Sequence, residues 1–398
     1  MMKIVSFRDA IADAALACEW QSAMGTTQNL YAMYQSIPWL STVDGQGSVS
    51  VVVKGEPSGA CILPLATNPV RLKFSLSRGV QPGITLRCVE LLGGEPVGGL
   101  TYDSCEEILE AIWKERPEID GVYMKSVMES SALWSILEEH GWTVGRARAY
   151  KPEGERPFHY LVLPESFEAY LSQFRKKQRY NLKRQVRVLA EASSNALELC
   201  CIRDVVDVDR LIDCVGVVTE RSWKSGTLAH AIPEIVKKPE CLAELARKRL
   251  LHSYVLNVNG APCAYVLGYL YNGIYHYANI GYDLRLASYS PGNVLLFLVV
   301  EDLIGKASAS VLNFGISDAE YKRIFGNRHV RDASILLMRP STRNRFCRAV
   351  HRGFRTAKDG IKRLVSARAK QKPPVGVDGE TDCPDSPRHY EPHVRASL

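Results

Sequence analysis

A chain of 398 residues, 46% hydrophobic and 23% charged, has room for two domains with real cores, and its composition excludes a disordered or fibrous protein. No apolar run reaches the ~18–20 residues that span a bilayer, because residues 294–300 end at Glu301 and Asp302; the N-terminus has acids where a secretory leader is apolar, so a cytoplasmic protein is expected. The net charge of +7 is local, since residues 341–372 hold eleven Lys/Arg against one Asp; the body is neutral, and no specific nucleic-acid partner is expected.

Residues 1–40 read as helical, ending near Pro38 and Trp39. A hairpin follows, with strands at 48–53 and 59–65. Residues 88–92 form a further strand, leading into a Gly-rich loop at 93–99. Asp103 is the expected N-cap of a helix to 114, with Glu106 at the capping-box position. A strand at 121–127 and a helix at 130–140 complete the first half. The polar stretch 153–157 reads as a joint. Beyond it come a strand at 158–162 and one long helix at 166–192, its apolar stripe made by Leu171, Phe174, Leu182, Val186 and Leu189. Arg175, Arg179, Lys183 and Arg187 line the opposite face, either as a solvated surface or as an attractor of an anionic donor or acceptor. Helices at 204–221 and 239–251 precede a hairpin of 253–258 and 261–271 around Asn259-Gly260. Strand 274–282, a helix from Pro291, strand 311–314, a short helix at 318–325 and a strand at 333–338 close the second half. The order strand, loop, helix, strand over 88–127 is repeated over 274–314, which suggests two related α/β domains.

The eleven cysteines contain no CxxC pair, which fits reduced thiols. Cys383, His389 and His393 sit in a Pro-rich tail without a fourth ligand, so no metal is expected. The start of the helix at Ser290, Pro291, Gly292 and Asn293 carries more chemistry. Pro suits a first helical turn, and Ser290 is the natural N-cap. Gly292 lets the backbone approach a bound group, and the free N–H groups with the helix dipole favour a phosphate. An ordinary capped helix has the same pattern.

The strand and short helix in VLNFGISDAEYKRIFG resemble the end of a GNAT acetyltransferase domain. Together with SQFRKKQRYNLKRQVRVL, TERSWKSGT and YDLRLASYSPG, they resemble the "acetyltransferase 6" branch of that superfamily. The branch includes proteins named for bacterial cellulose biosynthesis and is similar in fold to Fem-type peptidoglycan aminoacyltransferases. The resemblance is firm over 158–338 and loose over 20–150. Ser-Pro-Gly stands where the family usually has Gln/Arg-x-x-Gly-x-Gly/Ala.

What the resemblance implies is a mixed α/β fold of two tandem GNAT-like domains, each a central mixed sheet flanked by helices. Residues 1–152 would be a degenerate copy and 153–340 the catalytic one, followed by a basic helical extension at 341–372 and a disordered tail at 373–398. The co-substrate would be acyl-CoA, acetyl-CoA first, moved without a metal onto an amine or hydroxyl of a small-molecule or saccharide acceptor, such as an envelope polysaccharide precursor. Tyr321 would protonate the departing thiolate, or else be a packing tyrosine. Asp283 and His276 are candidate bases; a turn-forming aspartate and a core histidine are the alternatives. Backbone N–H groups from Asn279 to Gly281 would hold the oxyanion. Glu220, Trp223 and Lys224 would line the acceptor site, with a loop anchor as the other role for Trp223. Two further readings stand beside this one: Fem-like transfer of an aminoacyl group from tRNA to a cell-wall precursor, and a non-catalytic scaffold of an envelope-polysaccharide machine.

The extension has helical periodicity, with Phe346, Val350, Phe354, Ile361 and Leu364 on one side. Such a segment can lie on an anionic membrane surface, which would place the protein at the inner face of the membrane; a polyanion-binding segment or a disordered extension has the same pattern. On this reading the extension is dispensable for chemistry, and a chain ending at Pro340 folds.

Overall fold

The computed structural model describes residues 2–44, 47–56, 59–74, 82–194, 196–222 and 232–370, with the side chains of Glu56 and 362–370 excepted. The chain opens not on a helix but on strand β1 (Met2–Ser6), which lies antiparallel to β2 (Val49–Glu56). Helices α1 (Phe7–Ala12) and α2 (Ala14–Thr26) follow, capped by the side chains of Ser6 and Asp13. Pro38 does not end a helix. It lies in the first turn of α3 (Ile37–Val43), whose cap is the Ser36 hydroxyl, a place where its missing N–H costs nothing.

β2 and β3 (Gly59–Thr67) form the expected hairpin. A two-stranded sheet of β4 (Val70–Lys73) and β5 (Gly83–Leu86) was not legible in the sequence. β6 (Cys88–Leu91) runs parallel to β7 (Gly121–Met128), with α4 (Tyr102–Glu115) as the crossover. The cap of α4 is Thr101, whose hydroxyl accepts from the Ser104 N–H, rather than Asp103. Then come α5 (Ala132–Glu139), β8 (Thr143–Val144), β9 (Ala147–Tyr150) and β10 (Glu155–Val162). The expected long helix is two, α6 (Phe167–Ser172) and α7 (Lys176–Ala192), because Arg175 takes an extended backbone between them.

The second half contains β11 (Leu197–Ile202), α8 (Val208–Glu220), α9 (Pro239–Arg247), β12 (Ser253–Val258), β13 (Ala261–Tyr271) and β14 (Ile274–Tyr282). It ends with α10 (Pro291–Gly305), β15 (Val311–Asn313), α11 (Glu320–Phe325), β16 (Arg328–Met338) and α12 (Thr342–Lys370). β14 and β15 are again a parallel pair, joined through α10. The repeated order read from the sequence is thus a repeated pair of parallel strands with a crossover helix.

One mixed sheet runs through the chain in the order β1-β2-β3-β6-β7-β16-β10-β15-β14-β13-β12-β11, with β8 and β9 beside β16. Its middle is an exchange. β10, the strand that follows the first half, pairs with β15, whereas β16, at the end of the second half, pairs with β7. β10 and β16 pair with each other. The seam is polar and buried. Arg156 on β10 donates to Asp332 on β16 at 2.8 Å and to Ser334 Oγ at 3.1 Å, and Ser126 on β7 donates to the second Asp332 oxygen. A buried carboxylate needs such partners to remain charged. The cores also cross the halves: Lys248, just after α9, donates to Ser41 Oγ at 2.7 Å and Thr42 Oγ1 at 2.8 Å on α3.

Two buried histidines make the fold acid-sensitive. Burial pushes His276 down to about 3 and His252 down to about 4, from an ordinary 6.5. The unfolded chain therefore binds protons first, and stability falls as pH drops from about 6.5 towards 4, by roughly 2 kcal/mol per histidine at pH 5. The urea midpoint should be lower at pH 5 than at pH 7, and His276→Gln should shrink that difference. A difference untouched by the substitution would show that other groups carry it.

Candidate active site

The site is built around β14. Its parallel pairing with β15 lasts three rungs, Ile274–Val311, Tyr275–Leu312 and His276–Asn313. β15 then stops while β14 runs on to Tyr282, so the two strands part. On the other edge, the register with β13 slips: Gly268 faces Tyr277 but Leu267 faces Asn279. Ala278 is the extra residue of a bulge, a device that re-aims backbone groups. Ala278, Asn279 and Ile280 are the partly exposed stretch of this strand. Gly281 is required by packing, because a Cβ there would lie 2.5 Å from the Tyr265 ring.

Tyr321 on α11 stands beside the opening. It is half-buried, its ring centroid 6.1 Å from Phe314 and 6.4 Å from Tyr277, which precedes the bulge. The next residue, Lys322, is buried. Its ammonium donates to the Gly315 and Ile316 carbonyls at 2.9 and 3.0 Å and to Ser317 Oγ at 2.8 Å, which fixes the loop after β15. Burial, then Arg156, bring this lysine down to about 7.

Ser290 stands at the start of α10 but does not cap it with its side chain. It takes a left-handed backbone, φ 54°, and its carbonyl accepts from the N–H groups of Asn293 and Val294. A Cβ on Gly292 would come within 3.4 Å of the Tyr282 ring, so the helix start lies against the end of β14. α7 packs on α10 and on the 284–289 turn before it.

Asp283 is tied up. It is buried, caps the turn through the Arg285 N–H, is bound on both oxygens by the Arg285 side chain and has Arg221 at 3.9 Å. Arg285, above all, holds its carboxyl below the usual carboxylate range. That geometry fits the turn-forming role of Asp283 and opposes proton uptake by its carboxylate. His276 is likewise a core group: its ring meets Tyr34 edge-on at 5.6 Å, and its depressed pKa leaves it little basicity. Glu220 is exposed at the end of α8, which is anchored beside β14 through the Arg221 carbonyl and the Leu284 N–H. Trp223 and Lys224 lie outside the described residues, as do Cys383, His389 and His393.

The other side of the opening is roofed by residues 29–35. Asn313 donates to the Leu30 carbonyl at 2.7 Å, Asn29 to the Gly93 carbonyl at 2.9 Å, and Gln35 to the Glu95 carbonyl. This brings in a residue the sequence reading passed over. Glu95 is half-buried, only its main-chain carbonyl meets Gln35, no group among the described residues pairs with its carboxylate, and desolvation pushes it up to about 7. The available signal was its setting, an acid between glycine pairs directly after a core strand.

Among the described residues, Cys201, His252 and Asp302 have the composition of a metal site. Tyr254 donates to one Asp302 oxygen at 2.8 Å, and Lys306 lies 2.6 Å from the other, so both oxygens already serve the fold.

Residues 176–323 match the family described as "Acetyltransferase (GNAT) domain". Residues 176–323 thus carry a GNAT-type domain within the mixed α/β fold. The chain is similar in fold to FemX, at 10% identity over 81% of this chain and 96% of that one, with a TM-score of 0.51. It is equally similar to a tandem GNAT protein from the clavulanic acid biosynthesis pathway, at 11% identity over 86% of this chain and 100% of that one, with a TM-score of 0.50. L-PGS from Bacillus licheniformis matches at 10% identity over 85% and 96%, with a TM-score of 0.47. No curated protein matches the chain in sequence.

Proposed function

We propose that the protein transfers an acyl group, acetyl first, from acyl-CoA to an amine or hydroxyl of a small-molecule or saccharide acceptor. The observation that carries this is the parting of β14 from β15, with a bulge on one strand and Tyr321 at its edge. The pantetheine arm lies in the opening, and the phosphates lie at the start of α10 near α7. The acceptor enters under residues 29–35. Its nucleophile attacks the thioester carbon while Glu95 takes the proton. The oxyanion is held by backbone N–H groups of Asn279 to Gly281. The C–S bond then breaks, and Tyr321 gives its proton to the thiolate. Glu220, with Trp223 and Lys224 shortly after it in the sequence, contributes to the acceptor side.

Thermal unfolding with acetyl-CoA, longer acyl-CoAs and aminoacyl-tRNA separates the readings, since the true donor raises the midpoint by mass action. Stabilisation by an acyl-CoA supports this one. Stabilisation by aminoacyl-tRNA alone moves the protein to Fem-like transfer, which the exposed basic residues of α7 and the FemX-like fold favour as the second reading. No response to any donor leaves the scaffold.

Gly292→Val tests the phosphate position. A branched side chain in the first turn blocks backbone approach and presses on Tyr282, so acyl-CoA affinity should fall at least about tenfold. A folded variant with unchanged affinity by calorimetry removes the phosphate from this helix start.

A further inference from the structure

The basic extension is a helix, as expected, but it is not a free appendage. α12 buries Asn344, Cys347 and His351 against the body. Asn344 donates to the Asp120 carbonyl at 2.9 Å, and Arg355 to the Lys151 and Pro152 carbonyls. The Tyr150 hydroxyl lies 2.6 Å from His351 Nδ1, and Phe354 packs inward on Phe74. A chain ending at Pro340 would expose this seam, which argues against the expectation that such a chain folds. The packed face leaves two flanks. Phe346, Val350 and Ile361 lie on one, at 68%, 39% and 62% exposure. Arg345, Arg348 and Arg352 lie on the other, about 160° away around the helix axis.

The arginine flank borders the β8–β9 hairpin. A groove of about 240 Å³ is lined by Arg345 and Arg348 from the helix, by Arg146 and Arg148 from the hairpin, and by residues 338–340 where β16 leads into α12. Among the described residues, no carboxylate lies within ion-pair distance of Arg146, Arg148, Arg345 or Arg348. Four cations from two walls therefore share the groove without a counter-charge. Arg348 registers the crowding: partial burial, then Arg148 on the hairpin wall, Arg352 and Arg345 hold it below the usual arginine range. The mutual repulsion of such a group is relieved when an anion enters between the walls.

We propose that the groove between α12 and the β8–β9 hairpin binds a compact anion carrying two or more phosphate groups, with guanidinium groups closing on it from both walls. The planar fork of a guanidinium matches a pair of phosphate oxygens. The volume lies below the roughly 300 Å³ at which sites for drug-sized ligands begin, so it suits phosphate groups rather than a whole nucleoside. No aromatic side chain lines the groove, which leaves the bases of a single-stranded nucleic acid nothing to stack on. A bilayer resting on the arginines would leave the apolar row in water on the other flank, and no helix among the described residues is long and apolar enough to cross a membrane. This inference does not depend on the donor or acceptor of the reaction.

Full-length protein would be titrated by calorimetry with inorganic triphosphate and with orthophosphate at matched ionic strength. Triphosphate should bind one to one, at least about tenfold more tightly than orthophosphate. Arg148→Gln and Arg348→Gln, one from each wall, should each weaken it at least about tenfold. Arg352→Gln, one turn beyond the groove, should change little. Each variant thins a like-charged group, so its melting midpoint without ligand should stay the same or rise, which confirms that it is folded. ADP as a competitor separates the diphosphate of a nucleotide from a free polyphosphate chain, and either source supports the proposal. Wild-type protein that does not bind triphosphate overturns it. So does triphosphate that binds Arg148→Gln and Arg348→Gln as well as wild type, which places the anion elsewhere. An equal loss in Arg352→Gln, or tighter binding to a short RNA or to phosphatidylglycerol vesicles, also overturns it and makes the face a general polyanion surface.

Discussion

Tyr321→Phe is expected to lower kcat by about 10²–10⁴ while leaving KM for the acyl-CoA nearly unchanged. The substitution removes one oxygen and keeps the ring that packs on Phe314 and Tyr277, so stability should barely move. The loss arises because the leaving thiolate no longer meets a proton donor late in the reaction. Donor identity provides an internal check: an acyl donor whose leaving thiol has a lower pKa needs the proton less, so the variant should recover part of its rate with it. A Tyr321→Phe protein that keeps wild-type kcat with the correct donor makes Tyr321 a packing residue.

Glu95→Gln is expected to cost about 10²-fold or more in kcat/KM, and its pH dependence identifies the cause. In the wild type, kcat/KM should rise with pH through an apparent pKa of about 7 as the carboxyl ionises, the value that suits a base working near neutrality. Glutamine keeps the shape of the side chain but cannot take a proton, so that limb should vanish rather than shift. Asp283→Asn makes the contrasting measurement. Its carboxyl titrates below the range of the assay because Arg285 and Arg221 hold it charged, so the substitution should loosen the turn into α10 without removing the limb. A limb that persists in Glu95→Gln assigns the base to another group.

Local signals carried most of the second half. Asn259-Gly260 gave its hairpin, Pro291 gave the start of α10, and the motif around Tyr321 gave the short helix after β15. What the sequence did not disclose is what depends on distant partners. β1 is a strand because β2 supplies its ladder, and nothing in residues 2–6 alone says so. β10 and β16 each read correctly as strands, but that they exchange neighbours between the halves is a property of the closed sheet.

The candidate site divides in the same way. Tyr321 and Gly292 were legible because a helix start and a short motif are local. Asp283 and His276 were legible as positions, but what bears on their proton affinities, Arg285 and burial, is not printed in a sequence. Glu95 was passed over for the converse reason. Only folding ties residues 29–35 both to β15, through Asn313, and to the turn at 93–95, through Asn29 and Gln35. In α12, periodicity found the helix but could not say which part of the apolar stripe the body covers.

A crystal structure with a thioether analogue of acetyl-CoA tests the central claim most directly. The account predicts density for the pantetheine arm between β14 and β15, its sulfur beside the Tyr321 hydroxyl and its phosphates at Gly292 and Asn293. An analogue that binds elsewhere on the chain, with the opening between β14 and β15 empty, would contradict it.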